Sequence, residues 1–381
     1  MMARRCAVLV VCMWAGLVLA GVACAQVDPG VPSDPYFGGF WDAAGVWQGP
    51  QWNLMDRGTW LSLDGVNLVQ SNYGIQAQQA WEYFWDDSLN GGAGGWWKLP
   101  GQGVTIAIIG GAIDAGHEDF SGTTILPLKD YEPKKAMPAS TRSAGTIAAT
   151  TGNAVGIAGI AFGGKLLPIK VGGSNVAADA NQLATAIKYA SSQGAQVILV
   201  ERGTYSTTPD GWDVKAVINA TRDAVRKGAV IVAGLQQEYA AGTARWSFPA
   251  LCPDAIAVGE LSFLGNPLHR EFSPFLDVYL DLVAPGQRLE DDDNGDGLAD
   301  GISLWSLEGP NSYVQVPYPS IRQPAAQVAA VAALVRSAHP DWGEPQVREA
   351  LLNSAYWDDR WTGTAYGYGL VDAWAALNYV P

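Results

Sequence analysis

Past residue 100 the chain alternates between short apolar runs and longer stretches in which apolar positions recur every three or four residues. Val104–Ile109, Leu166–Val171, Gln196–Val200 and Ala229–Ala233 are short runs rich in β-branched side chains. Such runs predict parallel strands buried on both faces. Leu183–Ser192 and Val214–Lys227 have helical spacing, and Gly228 follows the second as a stop signal. Pro324–Ala338 is an Ala-rich apolar segment that ends at His339-Pro340, and a further helix opens at Gly343 with Pro345 in its first turn. Strands and helices in alternation predict an α/β fold around a central, mostly parallel sheet. No internal repeat is visible.

The first hundred residues follow another pattern. Arg4 and Arg5, the apolar stretch Cys6–Val22 and the small-residue triplet Ala23-Cys24-Ala25 make residues 1–25 a secretory signal. A lipoprotein alternative keeps Cys24 as an anchor, with Gly21 a poor match to the usual Leu. No second long apolar stretch predicts a membrane span. Residues 26–100 are rich in Trp, Gly and Pro, and tryptophans at 41, 47, 52, 60, 81, 85, 96 and 97 are too dense for a linker; the arm, 26–74, is expected to pack on a main domain over 75–381. Composition narrows the partners. Loss of Arg4 and Arg5 with the leader takes the net charge from −14 to −16, and an acidic surface without a basic run repels nucleic acid and anionic membrane. Three of the four cysteines lie in the leader, so Cys252 is expected to be single, buried and inert.

Several segments carry a family resemblance: Asn153-Ala-Val-Gly-Ile-Ala-Gly-Ile-Ala161, Phe248-Pro-Ala-Leu-Cys-Pro-Asp-Ala-Ile-Ala-Val-Gly259, Leu280-Asp-Leu-Val-Ala-Pro-Gly286 and Tyr366-Gly-Tyr-Gly-Leu-Val371. Together, in order and at matching spacing, they resemble the subtilisin-like serine peptidases, the subtilases. The resemblance implies a three-layer fold and, as family activity, serine-type endopeptidase chemistry. That chemistry needs a nucleophilic hydroxyl, an imidazole base, a carboxylate to orient it and a donor for the oxyanion. The positions that match the family's motifs hold other residues. Gly110, in Gly110-Gly111-Ala112, stands for the acid. Ala139, in register with Ala144-Gly145-Thr146, stands for the base. Gln237 stands for the oxyanion amide. Counting back without gaps from Ala332 puts Arg322 at the nucleophile. A second register, counted from Pro324, puts Ser320 there, but it adds two residues to a buried helix and turns its apolar face by about 200°. Of the three histidines, His117 and His339 match structural positions and His269 reads as a loop residue.

The family's substrate-edge segment corresponds to Glu201-Arg202-Gly203-Thr204. Two readings stand for its charges: Glu201 pairs with Arg322 and fills the old cleft, or Glu201 and Arg202 point to solvent. The run Asp292-Asp-Asn-Gly-Asp-Gly-Leu-Ala-Asp300 offers oxygens from Asp292, Asn294, Asp296, the Leu298 carbonyl and Asp300 to one hard cation, and Gly297 permits the tight turn. It resembles the calcium loops of thrombospondin type 3 repeats and dockerins, and an insertion in some bacterial subtilases. No inhibitory pro-segment is evident between leader and domain. These features lead to one expectation: an exported subtilase homologue that is catalytically inactive, binds a peptide, protein or glycan or serves structurally, and uses calcium for stability. The alternative is an active endopeptidase with a displaced nucleophile.

Overall fold

In a computed structural model the residues described are 33–34, 40–41, 47–48, 51–54, 60–62, 68–70, 73–90, 94–132, 140–172, 178–208, 210–235, 237–240, 243–262, 265–267, 279–286, 305–315 and 322–381. The leader, most of the arm, Ala139, Ser320, His269 and the whole run 292–300 lie outside them.

The apolar runs become the strands. In chain order they are β1 (Thr105–Gly110), β2 (Thr124–Ile125), β3 (Lys129–Asp130), β4 (Lys165–Lys170), β5 (Val197–Val200), β6 (Thr204–Ser206), β7 (Val230–Gly234), β8 (Gln237–Ala240), β9 (Thr243–Phe248), β10 (Ile256–Leu261), β11 (Leu282–Pro285), β12 (Trp305–Leu307) and β13 (Tyr313–Gln315). The main sheet runs β11-β10-β7-β5-β1-β4-β2, with β3 also on β4, and every pair in it is parallel. The core strands are buried on both faces, as their unbroken apolar runs require. A small antiparallel sheet (β6-β9-β8) and the β12–β13 hairpin complete the strands used below.

The helices are α1 (Ala77–Trp81), α2 (Thr141–Ala148), α3 (Ala180–Ser192), α4 (Lys215–Arg226), α5 (Arg322–Ala338), α6 (Glu344–Asn353) and α7 (Ala373–Leu377). Two groups flank the sheet: α3 with α4, and α5 with α2, α6 and α7. Asp179 caps α3 by accepting the Gln182 N–H, 2.9 Å away. Helix α5 is buried at nearly every position, which is why it reads as Ala-rich instead of amphipathic. Its two glutamines are satisfied inside the protein. Gln323 accepts from Thr146 Oγ1 at 2.6 Å and donates to Ser306 Oγ at 2.9 Å. Gln327 donates to the Pro285 carbonyl at 2.6 Å.

Described parts of the arm dock on this body. Gln51 exchanges two hydrogen bonds with the Ala158 backbone, at 2.7 and 3.2 Å, and Leu54 is buried. Just past the arm, at the end of α1, Trp81 is buried and donates its indole N–H to the Ile160 carbonyl at 2.8 Å. Cys252 is free and buried, and burial pushes its thiol up to about 12, so it stays a thiol at neutral pH.

Candidate functional site

Strand order places the site. From β1 the chain moves outward to β4 on one side; from β5 it moves outward through β7, β10 and β11 on the other. The order therefore reverses between β1 and β5. In open parallel sheets the carboxyl ends of the two strands at such a reversal frame the crevice where ligands enter. Those ends are Gly110 and Val200, and Glu201 follows the second directly.

Both Glu201 and Arg202 aim their N–H groups at the Ile109 carbonyl, at 3.0 and 3.4 Å. This turn folds the Glu201 side chain back over the end of β1. It is 7% exposed. A Cβ on Gly110 would stand 2.3 Å from Glu201 Oε2 and 2.9 Å from Ser140 Oγ. The Glu201 carboxyl occupies the space a side chain at 110 would take, so one of the two would have to shift; the backbone angles of Gly110 are ordinary. Ser140 precedes α2, yet its hydroxyl does not cap that helix. Its Oγ donates to Glu201 and accepts the Gly111 N–H at 2.7 Å, and its own N–H reaches the Ala112 carbonyl at 3.0 Å. Burial pushes the Glu201 carboxyl above the usual carboxylate range, while the Arg322 charge and the Ser140 hydroxyl oppose that rise. The Ser143 hydroxyl opposes the rise as well, and among the described residues Oε1 meets no hydrogen-bond partner.

Of the two readings of the groove charges, the structure takes a middle course. Glu201 is buried, so it does not point to solvent. No ion pair within 4.0 Å joins it to Arg322, whose guanidinium acts through its field. Arg322 opens α5, and both it and Arg202 are partly exposed. A charge at a strand end is free to turn either way, and here the missing side chain at 110 draws Glu201 inward. Gly203 gives its carbonyl to the Ala178 N–H at 2.8 Å and is wedged against the Phe248 carbonyl. Gln237 opens β8, paired in register with Trp246.

The described histidines are held elsewhere. His117 Nδ1 accepts the Asp119 N–H, so Nε2 carries the proton and donates to the Ser312 carbonyl at 3.2 Å, tying down the β12–β13 hairpin. His339 stacks on Trp342 with ring centroids 4.0 Å apart and reaches the Leu377 carbonyl at 2.8 Å.

A second polar cluster, not found by the motif reading, lies where the arm meets the loop after α2. Asp34 accepts from the N–H groups of Gly152 and Asn153, at 2.7 and 3.3 Å. Asp119 accepts from Ile157 N–H at 2.9 Å and Asn153 Nδ2 at 3.2 Å. Burial pushes Asp34 up to about 6 and Asp119 up to about 7, and the charge of Asp34 adds to the rise at Asp119. Gly156, at φ 57°, brings its backbone against Asp119 Oδ2, where a Cβ would stand 2.3 Å away. Among the described residues no three His, Cys, Asp or Glu side chains converge as a metal cluster. The signal was present in the Asn153–Gly156 loop, but its partner Asp34 is far off in sequence. Among those residues, too, no helix is long and apolar enough to cross a membrane.

Comparison with known proteins agrees with this geometry. The subtilase (peptidase S8) family profile matches residues 101–369. The chain is 30% identical over 286 residues to subtilisin of Bacillus pumilus, covering 73% of this chain and 92% of that protein. It is also 30% identical over 286 residues to subtilisin NAT of Bacillus subtilis subsp. natto, where the match spans 66% of that relative's length, just under two thirds. Among solved structures, MycP1 with its N-terminal propeptide removed superposes with a TM-score of 0.62 at 22% identity, covering 81% of this chain and 97% of that one. A protease of Pseudoalteromonas arctica PAMC 21717 gives 0.60 at 23% identity, covering 80% and 94%. The alternating strands and helices, the parallel sheet and these matches lead to one assignment: the chain belongs to the subtilase family.

Proposed function

We propose that this subtilase is an exported protein that has lost peptide-bond hydrolysis and keeps a binding or structural role. The observation that carries the reading is at Gly110. The position matching the family's acid has no side chain, and the buried carboxyl of Glu201, hydrogen-bonded to Ser140, fills its place. A serine hydroxyl attacks an amide only when a base removes its proton and the base is held in the right tautomer. His117 and His339 are each committed to a backbone carbonyl outside the crevice. Arg322, at the position matching the nucleophile, is a permanent cation that neither attacks nor accepts a proton. The test is a fluorophosphonate probe on the purified chain. The reading expects no labelled serine; a labelled Ser320 would instead establish the displaced nucleophile.

Calcium fits two places in this reading. Asp34 and Asp119 are both half-desolvated, the charge of Asp34 bears on Asp119, and no basic side chain is among the causes acting on either. A hard cation there would hold both carboxylates ionised and tie the arm to the domain. The run from Asp292 to Asp300 is the second, on its oxygen spacing alone.

A further inference from the structure

Two guanidinium groups stand by the crevice between β1 and β5, on elements that pack together: α5 lies against β5. Arg202 lies just past the end of β5 and Arg322 opens α5. Both are partly exposed, and neither makes a hydrogen bond or an ion pair with any described residue. The charge of Arg322 bears on Arg202. Glu201 is the carboxylate on which both charges act, and it is buried at the end of β1 with a hydrogen bond from Ser140. Two guanidiniums and the amino end of a 17-residue helix thus outweigh one acid. This happens at the mouth of a crevice in a chain whose net charge is −14. Like charges brought together at a protein surface repel, and an anion seated between them removes that repulsion. Among anions a carboxylate matches the planar guanidinium fork best short of phosphate.

We propose that Arg202 and Arg322 form a carboxylate-binding site that captures an acidic group of a peptide. The group is either the terminal carboxylate of a chain or an Asp or Glu side chain. Membership of a peptidase family makes a peptide the carrier, and a crevice at the reversal of strand order is where a ligand enters such a sheet. The inference rests on the preceding reading, because an active site would cut what this one holds.

Isothermal titration of the purified full-length chain tests it with four probes: pentaalanine with a free carboxylate, the same peptide amidated, an amidated and acetylated peptide with one central Glu, and inorganic phosphate. The expected result is binding of a carboxylate-bearing peptide at least about tenfold tighter than the amidated neutral one. Which of the two acidic peptides wins identifies the source of the carboxylate. Arg322→Gln and Arg202→Gln should each weaken binding about tenfold without lowering the melting temperature, and 0.5 M salt should weaken it as well. Equal binding of the amidated neutral peptide, binding of phosphate alone, or no binding at all overturns the site. Each peptide is recovered and weighed by mass spectrometry. An intact but unbound peptide sinks this inference alone. A cleaved peptide sinks the loss of catalysis, and the arginine variants still decide whether a carboxylate is held.

Discussion

The body of the sheet and the crevice at its edge obey different rules. Along β1, β5 and β7 the interior side chains are apolar, the strands are paired in parallel register and the backbone groups are satisfied. At the carboxyl ends of the same strands there is a buried acid and, beside it, a serine diverted from capping its helix; among the described residues one oxygen of that acid and the two nearby arginines meet no partner. The frame depends on the sum of many buried apolar contacts, each replaceable by a similar one. The chemistry of the crevice depends on a handful of side chains that contribute little to that sum. A fold can therefore outlast its reaction, and what replaces the reaction must be read from the crevice.

The sharpest way to break this contrast is to give Gly110 a side chain. Gly110→Asp places a second carboxyl against that of Glu201 in a buried site, and should lower stability by about 3–5 kcal/mol in urea unfolding. The double variant Gly110→Asp with Glu201→Ser should recover most of the loss, because the space is then shared by one acid. A single variant as stable as the parent would mean that Glu201 does not fill that space.

Next in size is the arm–loop junction of the frame. Calcium at a hundredfold excess over its dissociation constant should add about 2.7 kcal/mol and raise the melting temperature by about 5 °C relative to chelator. Asp119→Asn should abolish most of that rise. Equal melting in calcium and chelator would remove the cation from the account.

Smaller effects separate the members of the crevice. Ser140→Ala strips the buried Glu201 of its hydroxyl donor and should cost about 1–3 kcal/mol. Glu201→Gln tests the charge itself. Burial lifts the folded-state pKa of Glu201 above its unfolded value, so the folded chain binds the extra proton and stability falls as pH rises above the ordinary carboxylate range. Glu201→Gln should flatten that fall by an amount on the order of 1 kcal/mol, seen as a gain over the parent at pH 8 that shrinks at pH 5. An identical pH profile for both proteins would show that Glu201 carries no buried charge.

Much of this was legible in the chain because strand burial is written residue by residue. Leu166–Val171 was expected and Lys165–Lys170 observed; Ala229–Ala233 was expected and Val230–Gly234 observed. Those runs are apolar on both faces, so no tertiary information was needed. The end of β1 at Gly110 was legible too, since the apolar run breaks there into consecutive glycines. The fate of Glu201 was not, because a strand-end charge reads the same whether it turns inward or outward until the partner space is known. Ser140 was missed because the carboxyl it serves, Glu201, lies 61 residues away in sequence. Asp34 and Asp119 were missed because residues 85 positions apart meet only after the arm docks.

Turnover of a fluorogenic peptide by the purified chain tests the central claim most directly. The account predicts no cleavage above buffer, a rate lower by about 10⁶ than an intact triad supports. Cleavage that stops when the chain is treated with a fluorophosphonate would contradict it.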